Sequence, residues 1–169
     1  EGYTVNPVII SPERKKLLNR NLMLFFTGFS RFSSDIQVAA EKNLKSKQNQ
    51  LLEMLSLVDD AEKILTSKTD LEEFGRLLDY TWQLKRGITD KVSTDSIDAV
   101  YSRALQAGAT GGKLLGAGGG GFLLFYVDPD KQENVRKALE NLLYVPFEFE
   151  NGGTRVIHYT PESYEPVNA

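Results

Sequence analysis

Residues 111–127 read GGKLLGAGGGGFLLFYV, with Lys113 just ahead of a run, Gly116, Ala117, Gly118, Gly119, Gly120 and Gly121, that leaves the backbone almost bare. Eight of the chain's 14 glycines fall between Gly108 and Gly121. Glycine loses more conformational freedom on folding than any other residue, so a cluster this dense marks backbone that turns sharply or approaches something closely. A simple hairpin needs one or two glycines. A longer run offers a concave row of N–H groups to an anion, or lets another stretch of backbone nest against it. Lys113 supplies either a charge for a substrate phosphate or an ordinary strand-end ammonium in water. Arg31 and its neighbour Ser30 lie just beyond an earlier apolar run. If that run forms the strand beside the glycine turn, Arg31 can grip a phosphate bidentately; otherwise it is a surface arginine.

Gly116, Gly118 and Gly121 also spell G-x-G-x-x-G, but the context of a dinucleotide site is missing. That fingerprint needs a helix after the glycines, so that the pyrophosphate meets its N-terminus. Here Phe122–Val127 follows, short, aromatic and stopped by Asp128-Pro129. A Walker A loop needs Lys-Ser/Thr after its last glycine, and Phe122 stands there instead. The chain has no cysteine, which excludes disulfides, thiolate metal sites and a cysteine nucleophile. Its one histidine is His158. The net charge of −3, with acids and bases interspersed, gives no nucleic-acid footprint. No stretch approaches the ~20 apolar residues that span a bilayer, and the start does not resemble a signal peptide. The expectation is a cytoplasmic protein that binds neither nucleic acid nor membrane.

The 169 residues suit one compact domain. Asn21–Gly28, NLMLFFTG, reads as a buried strand. From Ser33 to Gly108 the chain has no proline and carries about four helices. Within this region Leu51, Leu55 and Val58 recur at helical spacing. Thr69-x-x-Glu72 reads as a capping box for a helix that buries Leu71, Phe74, Leu78 and Trp82 and ends near Gly87. N-cap candidates from Ser93 to Ser96 precede the stripe Ile97, Val100, Tyr101, Ala104 and Leu105, which ends at Gly108. After the glycines, Phe122–Val127 is a strand. Asp128 and Pro129 open a helix with Val135, Ala138, Leu139 and Leu142 inward. The alternating PFEFE and TRVIHYT, joined by Asn151-Gly152-Gly153, read as a hairpin. Residues 1–18 look like an extended linker or return strand, and residues 161–169 like a tail. This order predicts an α+β fold, a ferredoxin-like antiparallel sheet with additional helices.

Other polar residues take plainer readings. Lys85 and Arg86 sit where a helix end favours cations. Trp82 reads as core, His158 as structural, and Lys42, Lys45 and Lys47 as a solvated face. Asp95 and Asp98 read as helix-capping rather than metal-binding.

The stretch GATGGKLLGAGGGGFLLFYV resembles the third motif of the GHMP kinases. With TGFSRFSSDI, WQLKRGIT and IDAVYSRALQAGATGGKLLGAGGGGF, the resemblance narrows to the sugar-1-kinase branch, which includes heptose 7-phosphate kinases and fucokinase-like enzymes. It runs from Asn19 to Tyr159 and covers only the C-terminal domain of such an enzyme, here residues 19–160. The resemblance implies transfer of the γ-phosphoryl of ATP, with Mg²⁺, to a sugar or sugar-phosphate hydroxyl, specifically the anomeric hydroxyl of a heptose 7-phosphate. It implies that Gly116–Gly121, Lys113 and Arg31 face the substrate and the phosphate loop. That loop, Pro-x-x-x-Gly-Leu-x-Ser-Ser, and the catalytic aspartate belong to an N-terminal domain of the same polypeptide. Ser33-Ser34 lacks the preceding Gly-Leu, so no catalytic residue is expected here and this part alone is expected to be inactive. The alternative is a stand-alone ligand-binding or regulatory module with the same fold.

Overall fold

The computed structural model describes residues 5–29 and 33–152, with 156 and 158. In chain order its elements are α1 (Pro12–Asn21), β1 (Leu22–Phe26), α2 (Ser33–Asn43), α3 (Gln48–Thr66), α4 (Glu72–Arg86), α5 (Asp95–Gln106), β2 (Gly111–Leu114), β3 (Phe122–Tyr126), α6 (Gln132–Ala138) and β4 (Leu143–Val145). The strands lie in the order β2-β3-β1-β4, each antiparallel to its neighbours. This is the expected ferredoxin-like α+β arrangement, with α2 to α5 in the first crossover and α6 in the second.

The apolar runs of β1 and β3 are continuous because both faces of the sheet are covered. Met23, Phe25, Leu114, Leu123 and Phe125 join one core cluster, completed by Ile97, Val100, Tyr101 and Ala104 of α5 and by Val135 and Leu139 around α6. Leu22 and Tyr126 point the other way and meet Leu18 of α1 with Leu71 and Leu78 around α4. The α5 stripe is thus buried as its periodicity predicts. Its N-cap is Thr94, whose Oγ1 accepts from the Ile97 N–H at 3.3 Å.

Several local readings are corrected. Residues 12–18, expected to be extended, are helical. Ser11 accepts from the Arg14 N–H at 3.2 Å and Pro12 takes the first turn, a start signal that was present in Ser-Pro-Glu. The Arg14 guanidinium then donates to the carbonyls of Leu65 (2.9 Å), Ile64 (2.5 Å) and Thr69 (2.5 Å), satisfying the end of α3. The capping box at Thr69 does not form. Asp70 Oδ1 accepts the Glu72 N–H at 3.0 Å, while Thr69 bonds Ser67. The helix expected from Asp128 begins at Gln132, because Asp128–Lys131 is a turn closed by the Lys131 N–H on the Asp128 carbonyl at 2.9 Å.

The expected hairpin is also displaced. The strand that completes the sheet is Leu143–Val145, and PFEFE is irregular. Its alternation reflects other partners: Phe147 packs into the second cluster, and Asn19 receives the Phe149 N–H while donating to the Phe147 carbonyl, both at 3.0 Å. Most of the second arm, like the tail 161–169, lies outside the described residues.

The stripe assigned to α3 is wrong as well. Leu55 and Val58 are 66% and 61% exposed, and α3 turns Met54, Leu57, Ala61 and Ile64 partly inward instead. Two apolar stripes competed on this helix, and α4 covers only one. Leu55→Glu is therefore expected to change stability by no more than about 0.5 kcal/mol, as for exposed sites generally. Urea unfolding checks this; a loss near 2 kcal/mol would show that α3 buries that face.

Candidate functional site

The glycine loop joins β2 to β3 and is closed at its base by the Leu115 N–H on the Phe122 carbonyl at 2.8 Å. It folds against two other segments of the chain. Beyond β1, the Thr27 N–H and hydroxyl both donate to the Gly121 carbonyl, at 2.8 and 2.9 Å. The Gly121 N–H in turn meets Thr27 Oγ1 (3.1 Å) and the Phe29 carbonyl (3.2 Å). Ahead of α5, the Val92 carbonyl accepts the Gly119 N–H at 2.8 Å. A Cβ on Gly120 would lie 2.4 Å from the Phe29 oxygen, and one on Gly118 2.8 Å from the Val92 oxygen. The nesting of backbone on backbone is therefore real, and its partner is this chain itself.

That nesting does not consume the whole loop. The N–H groups of Gly116, Ala117, Gly118 and Gly120 donate to no described group. A Cβ at Gly116 would meet nothing within 4 Å, although φ is +73° there. The loop is thus pinned through Gly119 and Gly121, while these four N–H groups have no protein acceptor among the described residues.

The junction of α4 and β2 brings two cations, Lys85 and Lys113, to the loop. Gly75 and Gly111 let α4 touch β2: a Cβ on Gly111 would sit 2.0 Å from the Gly75 oxygen. Ten helical residues from Gly75 to Lys85 rise ~15 Å, and five extended residues from Gly111 to Gly116 span about 16 Å. Helix and strand therefore run out together, and the Lys85 ammonium donates to the Gly116 carbonyl. Lys85, read from sequence as a helix-end cation, instead reaches the loop. Lys113, on β2, is half-buried beside it and has no acidic partner among the described residues. Burial holds both ammonium groups below the usual lysine range, and Lys113 depresses Lys85 further by repulsion.

Neighbouring groups are already engaged. Arg86 pairs with Asp98, which also accepts from Ser93 Oγ at 2.6 Å. Neither Asp95 nor Asp98 belongs to a metal-holding cluster, and no group of three or more His, Cys, Asp or Glu among the described residues could hold a metal ion. Trp82 is fully buried, as its helical spacing predicts. Three aromatic rings stand open near the loop: Phe29, and the pair Phe26 and Phe122 with centroids 5.1 Å apart. Sequence reading passed over them because it took their strands as wholly buried. Arg31 and Ser30 lie outside the described residues, so the site assembled here comprises the loop, Lys113 and Lys85. His158 is exposed. No helix among the described residues is long and apolar enough to cross a membrane.

Residues 54–145 match the family of GHMP kinase C-terminal domains, and the chain belongs to that family. It is 34% identical over 146 residues to the D-glycero-alpha-D-manno-heptose 7-phosphate kinase of Campylobacter jejuni, covering 82% of this chain and 43% of that one. It is 32% identical over 126 residues to the mevalonate kinase of Pyrococcus abyssi, covering 70% and 37%. Among solved structures, a D-glycero-D-manno-heptose 1-phosphate kinase from Bacteroides thetaiotaomicron superposes with a TM-score of 0.59 at 25% identity, over 86% of this chain and 38% of that one. The Methanococcus jannaschii mevalonate kinase, at 23% identity and a TM-score of 0.66, shares the fold over 80% of this chain and 42% of its own. The chain thus spans less than half the length of these relatives.

Proposed function

We propose that this chain is the C-terminal part of an ATP-dependent sugar kinase that phosphorylates the anomeric hydroxyl of a heptose 7-phosphate. The observation that carries the reading is the pinned glycine loop, with N–H groups that no described residue accepts, on a chain 34% identical to a heptose 7-phosphate kinase. In this reading Gly116–Gly121, Lys113 and Arg31 face the sugar phosphate and the phosphate loop of an N-terminal domain in the same polypeptide. The C-terminal domain then runs over residues 19–160, and residues 1–18 lead into it from the N-terminal part. The free N–H groups fit phosphate oxygens. In this reading the Mg²⁺ ion and the catalytic base belong to the N-terminal part. Phosphoryl transfer relies on positioning and charge neutralisation, and this half contributes the loop and its cations.

The test is ATP consumption by the polypeptide carrying both domains, with heptose 7-phosphate, fucose and mevalonate offered separately. Turnover of the heptose phosphate is expected, with none by the 169-residue chain alone. Preference for mevalonate would move the protein to another branch of the family. Ligand binding with no turnover by any longer form would favour a stand-alone binding module.

A further inference from the structure

We infer that Lys85 and Lys113 together form a binding site for a phosphoryl dianion at the base of the glycine loop. The choice of phosphate over another anion rests on the kinase reading above; the placement of the site does not. Two half-buried ammonium groups close enough to repel one another are costly unless something negative lies between them. No described carboxylate pairs with either, and Asp79, the acid of α4 that faces β2 at Gly111, is taken by the Tyr101 hydroxyl. Arg86, the next cation along α4, has Asp98, whereas no ion pair among the described residues engages Lys85 or Lys113.

The second observation is geometric. Lys85 is not idle: it donates to the Gly116 carbonyl and so stands at the rim of the loop whose Gly116, Ala117 and Gly118 N–H groups are free. An ammonium donor and backbone N–H groups without a protein acceptor thus meet on one loop, a combination that suits a group with three acceptor oxygens. The Gly116 carbonyl lends Lys85 a partner while no anion is bound. Lys113 stands three residues before the turn on the edge strand, close enough to Lys85 to repel it. The phosphoryl group could belong to a sugar phosphate or to a nucleotide, since both present the same terminal chemistry.

The experiment is a titration of the ¹⁵N-labelled 169-residue chain with inorganic phosphate, followed by amide NMR and by calorimetry at low ionic strength, where such a site is least screened. Shifts are expected at residues 113–118 and at Lys85. Lys85→Met and Lys113→Met are each expected to weaken phosphate binding about tenfold, the usual worth of one charge-assisted hydrogen bond. Lys113→Met should leave the melting temperature unchanged or slightly higher, because it removes a repulsion; a residue kept for stability would behave in the opposite way. Lys137→Met, on the exposed side of α6, serves as control. Mannose 6-phosphate and ADP are then compared: displacement of phosphate by the former alone assigns the site to the sugar substrate, and by the latter alone to the nucleotide, either outcome supporting a phosphoryl site. Unchanged phosphate affinity in both lysine variants overturns the inference. So do shifts confined to the cleft around Lys15, Lys16 and Arg20. Neither result touches the kinase reading, which the turnover assay decides separately.

Discussion

Gly111→Ala is expected to destabilise the domain by more than about 3 kcal/mol, above the usual range for overpacking. The added Cβ would lie 2.0 Å from the Gly75 carbonyl oxygen and 2.9 Å from the Asp79 Cβ. A side chain in the way can change rotamer, but the nearest obstacle here is helix backbone. Relief requires moving α4 bodily away from β2. Gly75 fits against the Tyr126 ring from the helix side, where a Cβ would come within 2.9 Å, so the whole contact is built at glycine spacing. Moving α4 also pulls Asp79 from the Tyr101 hydroxyl, which donates to it at 2.6 Å, and strips Trp82 from the core. For a chain of this size each kcal/mol lowers Tm by about 2–4 °C, so a fall of roughly 10 °C is expected in thermal unfolding followed by circular dichroism. A fall of a degree or two would mean that α4 and β2 do not touch at Gly75. The site depends on this junction, because the shared run of α4 and β2 is what brings Lys85 to Gly116.

The large elements were legible because their signals were redundant. The α5 stripe had a cap, four buried positions and a glycine end that all agreed, and β1 and β3 were apolar throughout because both sheet faces are covered. The readings that failed were those in which one local signal had a tertiary competitor. Leu55 and Val58 have helical spacing, yet which side of α3 meets α4 is decided by packing that no local pattern encodes. The alternation in PFEFE is that of a strand, but the Asn19 side chain takes its backbone groups. The helix α1 was different: its Ser-Pro-Glu start was in plain view and was outweighed by the prolines around it.

The site was legible in the same uneven way. The density of glycine announced close approach, and the loop does nest on backbone. That its partners are Phe29 and Val92 could not be read locally, since both are distant in sequence. Lys113 could be proposed from its place before the turn. Lys85 could not, because its partner Gly116 is 31 residues away and a helix-end lysine has a sufficient explanation in the macrodipole.

Within the loop, two glycines separate structure from function. Gly118 has φ +124°, and a Cβ there would meet the Val92 oxygen at 2.8 Å and its Cα at 2.9 Å. A non-glycine residue in left-handed backbone costs about 1–2 kcal/mol before any clash. The clash also threatens the bond from the Gly119 N–H to Val92. Gly118→Ala is therefore expected to cost roughly 3 kcal/mol and to shift the loop. In the polypeptide carrying both domains, a displacement near 1 Å should lower phosphoryl transfer about 100-fold. Gly116 differs because its Cβ would enter open space, so Gly116→Ala carries only the conformational cost, about 1 kcal/mol. If that open space is where substrate sits, Gly116→Ala should raise KM at least tenfold in a protein that remains folded, since a methyl group displaces the phosphate from its N–H donors. The comparison is made on kcat and KM with Tm measured in parallel. An unchanged KM for Gly116→Ala beside a crippled Gly118→Ala would mean that the loop acts only by holding Phe29 and Val92 in place, and that the sugar phosphate is bound elsewhere.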